Sequence, residues 1–459
     1  MVTAPAASSP HLSGPTTTGD VRALDKRHVF HSWSAQATIT PLPVAGALGS
    51  EFWDFDGNRY LDFSSQLVNV NIGHQHPKLV AAIQQAAGEL CTIAPFHANA
   101  YRSEAARMIA ERAPGDLNMV FFTNSGAEAT ENAVRMARQH TGRQKIMTTY
   151  RSYHGATGTA IALTGDPRRW ASETGVSGIV HFWGPYPYRS PFYSTTEVEE
   201  GQRALQHLRD VLAVEGAQTI AAIMVESVVG TNGILVPPPG YLQGVRDLCD
   251  EFGIVMICDE VMAGFGRCGE WFAVNHWGVA PDLITFAKGV NSGYLPLGGV
   301  VISDRIAATF QDKPFPGGLT YSGHPLACAS AIASMNIFEE EGVLEHVKML
   351  SADVIAPGLE KIKANHRSVG DVRGLGVFWA IELVSNPETR APLVPYNAAG
   401  PTAAPMNELV VACKARGLWP FTHFNRIHVC PPCTTSIADV ERGLAIIDEV
   451  LNLADQHVN

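Results

Sequence analysis

Short apolar runs rich in β-branched residues alternate with helix-patterned segments from about residue 78 to 330. The runs are NMVFFTN (118–124), KIMTTY (145–150), TIAAIMVES (219–227), GIVMICDE (253–260), LITFAKG (283–289) and GGVVIS (298–303). Helical patterns such as GAEATENAVRMARQH and YLQGVRDLCDEF lie between them. That alternation predicts an α/β fold with a mostly parallel central sheet covered by helices. Upstream, EFWDFDGNRYLDF (51–63) carries two strand patterns around Asp56-Gly57, a hairpin signal. Downstream, a long helical segment over about 326–365 leads to a second strand pair, VRGLGVFWAIELV (372–384). The chain then closes with RIHVCPPCTTSIADVERGLAIIDEVL, a strand followed by a helix. The two flanks, 21–77 and 336–459, are expected to build one smaller α+β domain beside a large domain over 78–335. No fixed-period repeat interrupts this pattern.

A length of 459 residues accommodates such an organisation with a sizeable core. The opening MVTAPAASSPHLSGPTTTGD has neither a basic start nor an apolar h-region, so residues 1–20 read as a disordered leader rather than a signal peptide. The formal charge is -11 and there is no long Lys/Arg run, which argues against nucleic acid or an anionic membrane as partner. No run of 18 or more apolar residues occurs, so no bilayer span is expected. The eight cysteines are scattered, several within apolar runs, which suits reduced thiols in the cytoplasm. Cys430-Pro-Pro-Cys433 lacks a second pair, so no metal site is expected. HExxH, Walker A and GxSxG motifs are absent.

Several of the predicted strands end in polar residues: Asn124-Ser125, Glu226, Asp259 and Lys288. Ligands of open α/β sheets bind beyond the carboxyl ends of the strands, so one cleft can gather groups spread over more than 160 residues. Each residue also has a plain structural reading. Lys288, in ITFAKGVNSG, either snorkels from a strand end or is an amine held neutral for attack on a carbonyl. Ser125, Gly126 and Ala127 open a helix and suit a phosphate, although Ser125 with Glu128 is also a capping box. Tyr153-His154-Gly155 offers aromatic faces to a planar ring, or is a loop packed on the core. Asp259 ends a very apolar run and needs a partner: a protonated ring nitrogen, with Val261 on the same side of the strand, or the N–H groups of the following turn. Taken jointly, these are the parts that hold pyridoxal 5′-phosphate.

The stretches FFTNSGAEATENAVRMAR, SYHG, VMICDEVMAGFGRCGEWFA, PDLITFAKGVNSGYLPLGGV and GGLTYSGHPLACA resemble the class III aminotransferases, the ω-aminotransferase group of fold-type I pyridoxal-phosphate enzymes. The resemblance runs from about residue 28 onward. It implies a Schiff base between Lys288 and the cofactor, and Asp259 on the pyridine nitrogen. It places Val261 and Tyr153 on the two ring faces and Glu226 near the ring hydroxyl, with His154 beside Tyr153. Ser125, Gly126 and Ala127 would hold the phosphate, helped by Thr320 of a second subunit, so the active unit is expected to be a homodimer or a tetramer. Two departures stand out. Glu226-Ser227 replaces the usual Glu-Pro pair, and Phe421 occupies the place of the mobile arginine that clamps an acceptor carboxylate. Arg426, five residues on, could substitute. Val68 stands where several amine-selective members carry tryptophan, and Trp33 is expected in the pocket wall.

The implied activity is a ping-pong transamination from a primary ω-amine or ω-amino acid (taurine-like, β-alanine-like or arylalkyl) to pyruvate or 2-oxoglutarate. Aminomutase, decarboxylase or racemase chemistry would use the same parts. A catalytically silent cofactor-binding dimer is the alternative outside enzymology. A dinucleotide-binding dehydrogenase would need a GxGxxG after the first strand, which is missing.

Overall fold

The computed structural model describes residues 14–15, 17–172 and 176–459. Most of the expected leader lies outside the described residues, while residues 18–20 already belong to the helix Thr18–His28.

The first flank folds as an antiparallel meander of β1 (Val44–Leu48), β2 (Glu51–Asp54) and β3 (Arg59–Asp62). The expected hairpin forms because the Asp54 carboxylate accepts hydrogen bonds from the backbone N–H groups of Asp56 and Asn58, closing the turn. The central block supplies β4 (Leu117–Thr123), β5 (Lys145–Thr149), β6 (Ile179–Phe182), β7 (Ile220–Glu226), β8 (Val255–Asp259), β9 (Leu283–Phe286) and β10 (Gly298–Ser303). They form one sheet in the order β4-β10-β9-β8-β7-β5-β6. Strands β6, β5, β7, β8 and β9 run parallel, and β10 is antiparallel between β9 and β4. Every residue of β7, β8 and β9 is buried, as strands covered on both faces must be. Strand β6 is not among the predicted runs. It is a four-residue edge strand, IVHF, whose apolar run is short and interrupted by His181, and only Phe182 is fully buried.

The second flank contributes β11 (Val369–Leu375), β12 (Phe378–Asn386), β13 (Ala391–Pro392), β14 (Leu418–Trp419), β15 (Phe421–His423) and β16 (Arg426–Val429). Strand β14 pairs in parallel with β3, Leu418 opposite Leu61, so both ends of the chain share a sheet. The predicted long helical segment is divided: Pro325–Glu340 stops before Gly342, and Val343–Met349 continues through a π-helical turn, Leu350–Ile355, into Ala356–Asn365. Arg267, fully buried, joins the central sheet to both flanks. It donates to the carbonyls of Val377 and Pro431, to Ser65 Oγ and to Asn71 Oδ1.

Candidate active site

The parallel register fixes the chemistry at one sheet edge. Glu226, Asp259 and Thr285 are neighbours across β7, β8 and β9, and Lys288 begins the turn just beyond β9. The resulting cleft, about 270 Å³, is lined by Gly126, Ala127, Tyr153, Glu226, Asp259, Val261 and Lys288, together with His154, Thr231 and Met262. The Lys288 amine makes no hydrogen bond or ion pair among the described residues, and its backbone sits in the left-handed region at φ 46°. A snorkelling lysine would reach solvent. This one is turned into the cleft.

The partners of the strand-end acids hold them rigidly. Asp259 Oδ2 is 2.7 Å from His154 Nδ1, and Oδ1 accepts from the Val261 N–H at 3.0 Å. His154 Nε2 meets Thr148 Oγ1 at 3.0 Å, so the imidazole is bonded at both nitrogens. Tyr153 and His154 therefore divide their roles: the tyrosine ring lines the cleft, and the histidine orients Asp259. Glu226 accepts from the backbone N–H groups of Tyr153 at 2.9 Å and Gly230 at 2.8 Å.

Helix Gly126–Thr141 aims its N-terminus at the cleft. Ser125 Oγ caps it by accepting the Glu128 N–H at 3.2 Å, and Glu128 reaches back to the Asn124 N–H at 2.8 Å. The capping reading of this loop is thus correct, and the free N–H groups of the first turn remain available to an anion. Only residues without a Cβ fit here. A Cβ on Gly126 would come 2.8 Å from Val261 Cγ1, and one on Gly155, at φ +129°, would come 2.6 Å from Ala127 Cβ. A flat ring between Val261 and Tyr153, with a phosphate at the helix start, matches this shape and donor set, so the residues fit pyridoxal 5′-phosphate.

The electrostatics follow from burial. Desolvation pushes the Lys288 amine down to about 8, with Arg168 and Arg267 acting in the same direction against Asp259 and Glu226. Burial also pushes Glu226 up to about 7. Burial disfavours the charged form of His154 as well, but its bond to Asp259 outweighs that and raises its pKa.

On the substrate side the expected residues separate. Val68 is buried, at φ 56°, in an apolar cluster with Val228, Ala263 and Phe378, against which Phe421 and cleft-lining Met262 pack. Phe421 meets His428 edge-on at 4.6 Å. Arg426 is buried, and its Nε and Nη2 find no acceptor among the described residues. Trp33 and Thr320 are exposed and do not line the cleft of their own chain. Arg168 is the residue that the sequence reading misses. Its guanidinium lies 3.7 Å from the centre of the Tyr153 ring. Next to a second arginine in GDPRRW it looks like surface charge, and nothing local marks it. Cys430 and Cys433 are free, buried thiols, and among the described residues no cluster of His, Cys, Asp or Glu is arranged for a metal. No helix among them is long and apolar enough to cross a membrane.

Residues 33–451 match the aminotransferase class-III family. A 5-aminovalerate aminotransferase of Pseudomonas aeruginosa is 37% identical over 421 residues, covering 90% of this chain and 93% of the relative. A taurine–pyruvate aminotransferase of Bilophila wadsworthia is 31% identical over 455 residues, covering 95% and 97%. Among solved structures, the taurine:2-oxoglutarate aminotransferase of Bifidobacterium kashiwanohense, in complex with PLP and glutamate, superposes with a TM-score of 0.94 at 42% identity, covering 97% of this chain and 100% of that one.

Proposed function

The chain belongs to the class III aminotransferases, fold-type I enzymes that work with pyridoxal 5′-phosphate, and from that premise we propose that it moves the amino group of an ω-amino acid or ω-amine to a 2-oxo acid in a ping-pong cycle. Taurine and 5-aminovalerate, donors named for two relatives, are primary amines with an acid group at the far end of a short chain, while putrescine, named for another, has a second amine there. Pyruvate and 2-oxoglutarate are the acceptors named for them.

When bound, the cofactor supplies an aldehyde that condenses with amines and a ring that withdraws electrons. Lys288 is the residue that would bond to that aldehyde. Its Nζ, an amine pushed down to about 8, would then carry a proton from the substrate carbon to the carbon of the former cofactor aldehyde, the shift that transamination requires. Asp259, fixed by His154 and the Val261 N–H, keeps a proton on the ring nitrogen. Val261 and Tyr153 would hold the two ring faces, with Glu226 beside the ring hydroxyl. Ser125, Gly126 and Ala127 would bind the phosphate at the helix N-terminus, joined by Thr320 of the second subunit of a homodimer. Trp33, Val68, Phe421 and Arg426 shape the substrate side.

The observation that carries this reading is the Lys288 amine, without a hydrogen-bond partner among the described residues, in the same cleft as Asp259 and the start of helix Gly126–Thr141. Lys288→Ala tests it. Turnover and covalent attachment of the cofactor, read by borohydride trapping and mass spectrometry, should both disappear. A Lys288→Ala protein with native turnover overturns the mechanism.

A further inference from the structure

Arg168 is the second residue of the short 3-10 turn Pro167–Ser172, with its guanidinium against the Tyr153 ring at 3.7 Å. Tyr153 lines the Lys288 cleft, so the guanidinium lies against a cleft-lining ring, close enough for its charge to depress the Lys288 amine. Its mounting is specific. The Asp166 carboxylate has no exposed side-chain surface, and it accepts from Arg168 Nε at 3.1 and 3.0 Å and from Nη2. It also accepts from the Arg168 backbone N–H at 2.9 Å and from Asn232 Nδ2 at 3.0 Å. One fork of the guanidinium is therefore closed by Asp166. The other end is open: among the described residues no acceptor meets Nη1. A planar group with five N–H donors can hold two anions at once, one on each fork.

The charged groups around this end are cationic or already paired. His423, with an unpartnered Nε2, feels the charges of both Arg168 and Arg426, and Arg426 carries two further unpartnered donors. The acids near them are already paired: Asp166 with Arg168, and Glu382 with Arg189 and Arg373. Phe421 fills the position at which the class III resemblance places a carboxylate clamp, so this side of the cleft holds no clamp at the expected position.

We propose that Arg168, through its open Nη1–Nη2 end, receives the acid group of the substrate, a carboxylate or sulfonate remote from the reacting amine or carbonyl, with Arg426 behind it adding to the field. The inference rests on the transaminase reading and deepens it. It makes the preferred substrates amino or oxo compounds bearing a second, acidic end, and it disfavours plain alkyl amines.

The test is a binding measurement that needs no turnover. Cofactor-loaded protein is titrated by calorimetry with glutarate and, separately, with propane-1-sulfonate, neither of which has an amine or ketone to react. The native protein should bind at least one of them. Arg168→Gln should weaken that binding at least about tenfold, the loss expected for a charge-assisted hydrogen bond. Arg168→Lys, which keeps the charge and loses the planar fork, should fall between. A loss for glutarate alone assigns the site to a dicarboxylic acceptor, and a loss for the sulfonate alone assigns it to a sulfonic donor. Either supports the proposal. Arg168→Gln leaves the buried Asp166 unpaired, so the double variant Asp166→Asn with Arg168→Gln is titrated in parallel and should show the same loss. Native-like binding in both variants, or no binding of either acid by the native protein, overturns it. The absorbance response of native protein to 1-phenylethylamine, which has no acid group, is read separately. Its absence together with that of every acidic amine overturns the transaminase reading, while acid binding stays measurable.

Discussion

Lys288 combines a desolvated amine with a left-handed backbone at φ 46°, which together disfavour an ordinary structural role for a lysine. A non-glycine residue in that region costs on the order of 1–3 kcal/mol and persists where the surrounding structure requires it. The neutral amine is the reactive form, so the pH at which it appears is measurable. In cofactor-free protein, reductive methylation of Lys288 should rise with pH through a midpoint near the value of about 8, well below the ordinary lysine range. Asp259 pulls the amine upward, so Asp259→Asn should move that midpoint to lower pH. Peptide mapping by mass spectrometry reads both, and a midpoint in the ordinary lysine range contradicts the enclosure described. Lys288, Asp259 and Glu226 were legible in the sequence because each ends a continuous apolar run, and parallel strands deliver their ends to one edge. Arg168 was not. Its placement against Tyr153 and Asp166, residues 15 and 2 positions away, is tertiary: the short helix Gly158–Leu163 intervenes, and no strand end carries Arg168 to the cleft.

At the scale of elements, the cofactor cradle is a contact between one helix and the end of one strand. Helix Gly126–Thr141 packs its first residue on Val261, two residues past the end of β8, and the fit depends on the missing Cβ. Gly126→Ala should therefore cost about 1–3 kcal/mol, the usual penalty of overpacking, and speed cofactor release on dialysis. Val261→Ala in the same chain removes the two methyl carbons that the new Cβ would strike, at 2.8 and 2.9 Å, and should restore much of the stability. Thermal melts of the two single variants and the double variant check this. Additive losses would mean that the two positions do not touch. Strand–helix alternation made this arrangement readable from the sequence. The edge strand β6 and the division of the long helical segment at Gly342 were not readable, since one is only four residues long and interrupted by His181, and the other depends on packing.

For the whole molecule, the proposed homodimer explains why Thr320 is exposed and absent from the cleft of its own chain. Thr320→Glu would place a charge against the phosphate and should empty both sites of a dimer. Co-expressed with Lys288→Ala, it should regain up to about half the native activity per mixed dimer, because one site then receives an intact Lys288 and an intact Thr320. No recovery in the purified mixed dimer places Thr320 in its own subunit's site. The central claim, that this cleft carries out transamination, is tested most directly by a single half-reaction. Cofactor-loaded protein is mixed with a donor amine alone, without any 2-oxo acid, and the released cofactor is identified by chromatography. The account predicts one equivalent of pyridoxamine 5′-phosphate per subunit, reconverted on adding a 2-oxo acid. Consumption of the amine with the cofactor recovered unchanged as pyridoxal 5′-phosphate would contradict it.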